Sequence, residues 1–418
     1  MLANSDSLEH PAARYARIRS RSLALAAPLH PEDCTVQSMP DTSPVKWHLG
    51  HTTWFFEQFV LGEQAGYKPH RSDWHFLFNS YYQSVGPMHA RPERGLLTRP
   101  RLAEVIEYRD AVDAAIKTLL QRDLAPPMTE RIALGLQHEQ QHQELILTDI
   151  KHLLSRNPLQ PAYRDDLIVA RSEPAEQRFV TGRDGLCELG ADAGAEQAFA
   201  FDCETPRHTI YLRAHALARR PVSNAEFRAF IDDGGYRRAE FWMSEGFATA
   251  QSEGWRGPLY WDASCATEFT LGGRRPINPE APVCHISWFE ADAFARWAGA
   301  RLPSEGEWEL AAAASDPVAG HFADDEFLHP RAGGGESELV QLFGDVWEWT
   351  ASPYLSYPGF RPLPGALGEY NGKFMCGQYV LRGGSCATPR GHVRASYRNF
   401  FHPRDRWQFS GLRLAKDL

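Results

Sequence analysis

The sequence predicts an α+β protein of two domains, a helical bundle followed by a domain of short strands and irregular structure. The chain has 418 residues, more than one ordinary domain holds, and 43% are hydrophobic, enough for two cores. Helical periodicity dominates the first 160 residues, whereas Gly, Pro, Trp and short apolar runs dominate after residue 176. We therefore expect an N-terminal domain over 1–160, a linker over 161–176 and a C-terminal domain over 177–418.

Composition excludes several classes of protein. The formal charge is −9 with both signs interspersed, so no basic stripe indicates binding to nucleic acid or to an anionic membrane. No apolar run approaches the ~20 residues of a transmembrane helix, and the first residues do not resemble a signal peptide. The seven cysteines are scattered and form no CxxC pair. We expect a cytoplasmic protein with reduced thiols.

Four helices are predicted in the first domain. The first covers about 9–26. The second begins at Ser43 and Pro44, a cap residue followed by a proline, and continues to Phe56. The third covers about 101–120 and the fourth 129–154. Helices of this length indicate an antiparallel bundle with a site in its core.

The fourth helix carries two histidines four residues apart, His138 and His142. Side chains at this spacing lie on one helical face, and Leu134 and Leu145 extend that face, so the imidazoles should point into the bundle. They are flanked by amides and carboxylates, which favours a divalent transition metal over a pair of satisfied core histidines.

A metal site inside a bundle needs ligands from more than one helix. The second helix offers His48 and His51, which are three residues apart, so either could face the core. Three histidine ligands would leave positions open for substrate and dioxygen, as in open-sided non-haem iron sites.

The long connection over about 64–99 is the next candidate for function. Its adjacent tyrosines, Tyr81 and Tyr82, could supply a proton or an electron beside a metal. Its arginines, Arg91 and Arg94, could clamp a substrate carboxylate. The alternative is that the tyrosines are packing residues and the arginines are solvated.

In the second domain two helices are clear, over 287–298 and 304–311. Each starts with a serine followed three residues later by a glutamate, the capping-box pattern. The remainder should be irregular structure and short strands.

Four segments of this domain, 301–309, 343–350, 381–385 and 411–415, resemble the formylglycine-generating-enzyme (sulfatase-modifying factor) fold, a C-type-lectin-like fold. The first half, with His51, His138 and His142, resembles a DinB-type four-helix bundle. The two fused in this order resemble the EgtB family, the iron-dependent sulfoxide synthases of ergothioneine biosynthesis. One departure is that Cys386 directly follows Ser385 and no cysteine comes after it, so the cysteine pair of the formylglycine-generating enzymes is absent. We expect the fold without that chemistry.

The resemblance implies an Fe(II) ion on His51, His138 and His142, with O2 as co-substrate. It implies small-molecule substrates, hercynine and a thiol or selenol donor, joined at the imidazole carbon between the two nitrogens with oxidation to a sulfoxide. The other site residues that it implies are the catalytic pair Tyr81 and Tyr82, typical of the branch using free cysteine, Arg91 and Arg94 on the donor carboxylates, Gln141 on the hercynine imidazole, and Asn399 on a loop of the second domain. Ligand histidines should be oriented by acceptors, for which Glu139 and Glu144 are candidates.

Three alternatives stay open. The first is selenoneine synthase, a close relative that joins hercynine to a selenosugar. The second is a zinc protease, because 138–142 matches HExxH, with Glu139 as general base and Glu173 or Glu176 as third ligand. The third is a non-enzymatic module, a degenerate bundle fused to a ligand-binding fold.

Overall fold

The computed structural model describes residues 9–169, 175–192 and 199–418. They form two compact units, the first comprising 9–163, 199 and 363–370 and the second comprising the remaining described residues. The predicted linker lies partly at 170–174, outside the described residues. The sequence does not predict that 363–370 belongs to the first unit.

The first unit is a helical bundle, as predicted. Its helices are α1 (Pro11–Ala26), α2 (Val45–Phe59), α3 (His75–Phe78), α4 (Leu102–Leu119) and α5 (Pro126–Arg156). Helix α2 packs against α4 and α5, and α1 packs against α5. Helix α2 is buried on all sides except at Gln58, which makes it the central helix of the bundle.

Two helix starts differ slightly from prediction. Helix α2 begins at Val45, with Pro44 rather than Ser43 at the N-cap position. The backbone N–H of Ser43 instead donates to the Asp149 carboxylate of α5 at 2.8 Å. Helix α5 begins at Pro126, earlier than predicted, because prolines fit the first helical turn, where backbone N–H groups lack helical partners.

The second unit contains short strands, which confirms the predicted α+β class. The strands are β1 (Phe179–Thr181), β2 (Gly185–Leu189), β3 (His208–Leu212), β4 (His215–Ala218), β5 (Thr267–Thr270), β6 (Gly273–Pro276), β7 (Trp347–Pro353), β8 (Tyr379–Arg382), β9 (Asn399–Phe401), β10 (Ser410–Leu412) and β11 (Ala415–Asp417). One sheet has the order β10-β7-β8-β9, with β10 parallel to β7 and the other pairs antiparallel. A second, antiparallel sheet has the order β1-β4-β11, and β2-β3 and β5-β6 are hairpins.

Its helices are α6 (Asn224–Asp232), α7 (Ser244–Ser252), α8 (Trp288–Trp297) and α9 (Glu305–Ala312). The predicted capping boxes at the starts of α8 and α9 are confirmed. The recurring sequence motifs meet in the core, where buried Glu348 accepts from Arg413 at 2.7 Å and from the Trp308 indole at 2.8 Å. Among the described residues, no helix combines the length and apolarity that crossing a membrane requires.

Candidate metal centre

The three histidines predicted as ligands lie together in the core of the first unit. His51 comes from α2, and His138 and His142 come from one face of α5. All three side chains are buried, and one ring nitrogen of each lies within 4.8 Å of the others. The helical spacing therefore positions them as the sequence predicts, and their role as ligands remains a proposal.

The hydrogen bonds of His51 show which of its nitrogens could bind a metal. Its Nδ1 donates to the Phe78 carbonyl at 2.6 Å, so its Nε2 carries the free lone pair. This Nε2 lies 3.2 Å from Nε2 of His138. Two nitrogens about 2.1 Å from one metal and at right angles would be about 3.0 Å apart, so the pair fits a shared metal.

His138 can likewise present its Nε2 to a metal. Its Nδ1 is buried and has no hydrogen-bond partner among the described residues. Burial lowers the pKa of His138 to about 3, and burial also lowers the pKa of His51 and of His142 well below the ordinary value. The three rings are therefore neutral near pH 7, which is the form that ligates metals.

An aromatic stack fixes the ring of His51. Trp47 lies on it at 4.6 Å with 13° between the planes, and Trp54 at 5.8 Å with 15°. The guanidinium of Arg94 lies 3.3 Å from the Trp47 ring centre. Such packing holds a ligand in one orientation before a metal arrives.

Glu139 does not orient a histidine, which corrects one prediction. Its carboxylate accepts from Arg19 at 2.6 Å, from Ser22 at 2.6 Å and from Arg109. Burial alone would raise its pKa, but the charges of Arg109 and Arg19 lower the pKa of Glu139 to about 2. A carboxylate held by two arginines is a poor general base, which argues against the zinc-protease alternative.

The other acidic candidates give that alternative no support. Glu176 is exposed and lies in the second unit, and Glu173 lies outside the described residues. Glu144 is buried on α5, and its predicted role as an acceptor for a histidine ligand stays a prediction.

Tyr81 and Tyr82 lie in the loop after α3, with their rings 4.6 Å apart. Asn79 shapes this loop, because its amide donates to the Tyr82 carbonyl at 3.1 Å and to the Gly86 carbonyl at 3.1 Å. Tyr82 is fully buried, and burial raises its pKa well above the ordinary value. Its ring contacts Trp54, so one aromatic side chain separates it from His51.

A third tyrosine, Tyr370, contacts His138 directly, and the sequence reasoning missed it. Its ring centre lies 5.5 Å from that of His138, and its hydroxyl donates to the side-chain oxygen of Gln141. Tyr81 lies on its other side, with 6.0 Å between ring centres. Gln141 and Tyr370 are 229 residues apart, so no local spacing could have indicated the contact.

The two predicted arginines differ in environment. Arg94 is buried, and it donates to the hydroxyls of Ser43 and Ser80 at 2.8 and 2.9 Å. Its Nε is buried and has no hydrogen-bond partner among the described residues. Arg91 is exposed and donates to the Asp41 carbonyl.

Asn399 lies in β9 of the second unit, where its side-chain oxygen accepts from the Phe400 N–H at 2.9 Å. Its predicted contribution to the substrate pocket therefore stays a prediction.

Comparison with known proteins defines the class of protein. The model of the Sulfatase-modifying factor enzyme 1-like domain matches residues 167–418, and that of the DinB superfamily matches residues 14–146. A formylglycine-generating enzyme from Mycobacterium tuberculosis is 28% identical over 212 residues, covering 38% of this chain and 70% of that protein. The chain thus joins a DinB bundle carrying a three-histidine cluster to a sulfatase-modifying-factor domain.

Two relatives share both domains. A hercynine oxygenase from Mycolicibacterium thermoresistibile is 34% identical over 413 residues, covering 91% of this chain and 88% of that protein. A hercynine oxygenase from Mycobacterium tuberculosis is 33% identical over 444 residues, covering 99% of this chain and 100% of that protein. The chain belongs to the hercynine oxygenase (EgtB) family.

Proposed function

We propose that the chain is an iron(II)- and dioxygen-dependent oxygenase of ergothioneine biosynthesis that joins hercynine to a thiol, cysteine or γ-glutamylcysteine, as a sulfoxide. The observation that carries the proposal is the buried cluster of His51, His138 and His142 in a member of this family. The imidazole loses a C–H bond and the thiol its S–H bond. One oxygen atom of dioxygen ends on sulfur, and the other leaves as water with the two hydrogens.

The three imidazoles would hold the metal. Because they are neutral, the charge of a bound divalent ion is available to an anionic thiolate. Iron(II), when bound, would activate dioxygen, lower the pKa of the thiol and bring the partners together. The surrounding Trp47, Trp54 and Phe55 rings keep water from the histidines.

Arg94 is the best candidate for binding the carboxylate of the sulfur donor. Burial lowers its pKa well below the ordinary value, and the charge of Arg91 lowers it further. A buried guanidinium whose hydrogen bonds within the described part of the chain go to two hydroxyls gains a favourable partner when an anionic substrate arrives. Arg91 is exposed, so we expect it to contribute less.

Tyr370 is the hydroxyl best placed to donate a proton during the reaction. It lies against His138, and its contact with Gln141 holds the phenol beside that ring. The same contact holds the side chain of Gln141, the residue that we expect to contact the hercynine imidazole. Tyr81, beside Tyr370, is the nearest of the predicted pair.

The test is a competition for sulfur donors. The protein is loaded with iron(II) without oxygen, mixed with hercynine and equal amounts of cysteine, γ-glutamylcysteine and a selenosugar, and exposed to air. We expect mass spectrometry to detect a hercynyl–cysteine or hercynyl–γ-glutamylcysteine sulfoxide. The His51→Ala variant is the control, and it should give no product.

A selenium adduct alone would replace this proposal with a selenoneine synthase using the same histidines. The absence of any hercynine product, with iron bound, would overturn the proposed substrate.

A further inference from the structure

His48, on α2, lies between a predicted metal ligand and a buried carboxylate. Its Nδ1 is 2.8 Å from Nδ1 of His142, and its Nε2 is 3.0 Å from a carboxylate oxygen of Asp149. All three side chains are buried, with 2%, 8% and 5% of their surfaces exposed for His48, His142 and Asp149. Contacts this deep in a bundle are not exchanged for water.

The partners of His48 assign the tautomers of both rings. A carboxylate oxygen only accepts, so Nε2 of His48 carries a hydrogen and donates it to Asp149. With Nε2 as the donor, Nδ1 of His48 is assigned as the acceptor, and the hydrogen between the two rings is assigned to Nδ1 of His142. By elimination, the nitrogen of His142 with a free lone pair is Nε2.

Asp149 is itself held in place. The same oxygen that accepts from His48 accepts from the backbone N–H of Ser43 at 2.8 Å. Because one oxygen serves a fixed backbone donor and the imidazole together, its direction toward His48 is set by the fold.

We propose that Asp149 and His48 are positioning residues that orient His142 and select its Nε2 as the metal-binding nitrogen. This inference rests on the proposed three-histidine metal site. Residues that hydrogen-bond the outer nitrogen of a ligating histidine typically change metal affinity about 10- to 100-fold when they are removed. His48 thus belongs to the site as a support for a ligand, while His51 of the same helix would be a ligand itself.

Metal binding, measured without substrate, tests the inference. Iron(II) affinity is measured anaerobically by equilibrium dialysis, and cobalt(II) absorption reports the ligand field at the same site. His48→Leu removes the acceptor for His142 and should weaken iron(II) binding about 10- to 100-fold. His48→Asn keeps a side-chain oxygen near the Nδ1 position and should recover part of the loss.

The matched control is His152→Leu. Like His48, His152 is buried, but it lies on α5 and its Nδ1 is 2.7 Å from the hydroxyl of Ser38. Its metal affinity should equal that of the unchanged protein. Thermal unfolding of each metal-free variant identifies any that do not fold, and the comparison is made among folded variants.

The outcomes separate this inference from the proposed function. If the unchanged protein binds iron(II) and both His48 variants bind it equally well with unaltered cobalt(II) spectra, the positioning role is overturned and the metal site stands. If the unchanged protein itself binds no metal, the proposed function fails first. If His48→Leu binds weakly and His48→Asn binds more tightly, the inference holds.

Discussion

Tyr370 and Tyr82 occupy different environments, although both lie near the histidines. The Tyr370 ring contacts His138, and its hydroxyl reaches Gln141. The Tyr82 ring instead packs on Trp54 at 5.7 Å and on Phe59 at 4.9 Å. A phenol inside an aromatic cluster mainly adds packing energy, whereas a phenol beside polar groups can exchange a proton.

We therefore expect Tyr370→Phe to lower the rate of sulfoxide formation by roughly 10²-fold or more, the range for a lost general acid. Dioxygen consumption should continue, because the thiol is then oxidised without joining hercynine. The measurement is the ratio of sulfoxide to oxidised thiol, by mass spectrometry alongside an oxygen electrode.

Tyr82→Phe is the comparison variant and should change this ratio less. If Tyr82→Phe or Tyr81→Phe shifts the products and Tyr370→Phe does not, the predicted tyrosine pair carries the chemistry instead.

Single residues also show how far sequence alone can go. The four-residue spacing of His138 and His142 predicts their shared face because helical geometry is local. It could not decide between His48 and His51, since every residue of α2 except Gln58 is buried and both histidines face protein. Which of them meets His138 is decided by helix packing, which sequence periodicity does not describe.

At the scale of elements, a short turn links the Tyr370 segment to the loop of Tyr81. The turn Gly365–Glu369 ends one residue before Tyr370. The Glu369 carboxylate accepts from the backbone N–H groups of Gln83 and Ser84, each at 3.0 Å. These bonds anchor the residue next to Tyr370, so they restrict where its phenol can lie.

Removal of this anchor should affect chemistry more than metal binding. Glu369→Ala should lower sulfoxide formation about tenfold, because a small displacement of a catalytic group is costly. Iron(II) affinity should not change, since Glu369 is not one of the three predicted ligands. Glu107→Ala, at an exposed position of α4, is the control. Sulfoxide formation equal to that control would contradict the anchoring role, and a loss of iron(II) affinity would indicate a wider structural defect.

Elements differ in how well the sequence predicts them. The bundle helices and the capping boxes of α8 and α9 follow from local signals. The packing of 363–370 with the first unit depends on contacts between residues far apart in the chain, such as Glu369 with Ser84. From the sequence we predict that 363–370 belongs to the second domain, because the composition of this segment does not differ from that of its neighbours.

At the scale of the whole molecule, each unit is held by a buried ionic network. In the second unit, Glu348 and Arg413 join two of the segments that identify the domain. Cys386 is fully buried there, and its N–H donates to the Asp345 carbonyl at 3.0 Å. Cys386 therefore lies in the packed core of the second unit.

In the first unit, the network centred on Glu139 joins all four long helices. Glu139 of α5 binds Arg19 of α1 and Arg109 of α4. These arginines reach α2, because Arg19 donates to Thr53 at 3.0 Å and Arg109 to Thr52 at 3.2 Å. Loss of the carboxylate would leave two buried guanidinium groups without their shared partner, which typically costs about 3–5 kcal/mol.

The stability of the first unit should therefore depend on Glu139 and on pH in a defined direction. The charges of Arg109 and Arg19 hold the folded-state pKa of Glu139 at about 2, below the ordinary value of 4.5. A lowered carboxyl pKa stabilises the folded state above about pH 5, and this contribution is lost as pH falls toward 2. Urea unfolding followed by helical circular dichroism should show Glu139→Gln destabilised by about 3–5 kcal/mol at pH 7. The difference in unfolding free energy between the unchanged protein and Glu139→Gln should narrow from pH 5 to pH 3. In this range the Glu139 carboxyl of the unfolded chain, with its ordinary pKa of 4.5, binds a proton, while the folded carboxylate stays charged. If the difference in unfolding free energy is the same at pH 5 and at pH 3, the charge of the Glu139 carboxylate does not stabilise the bundle.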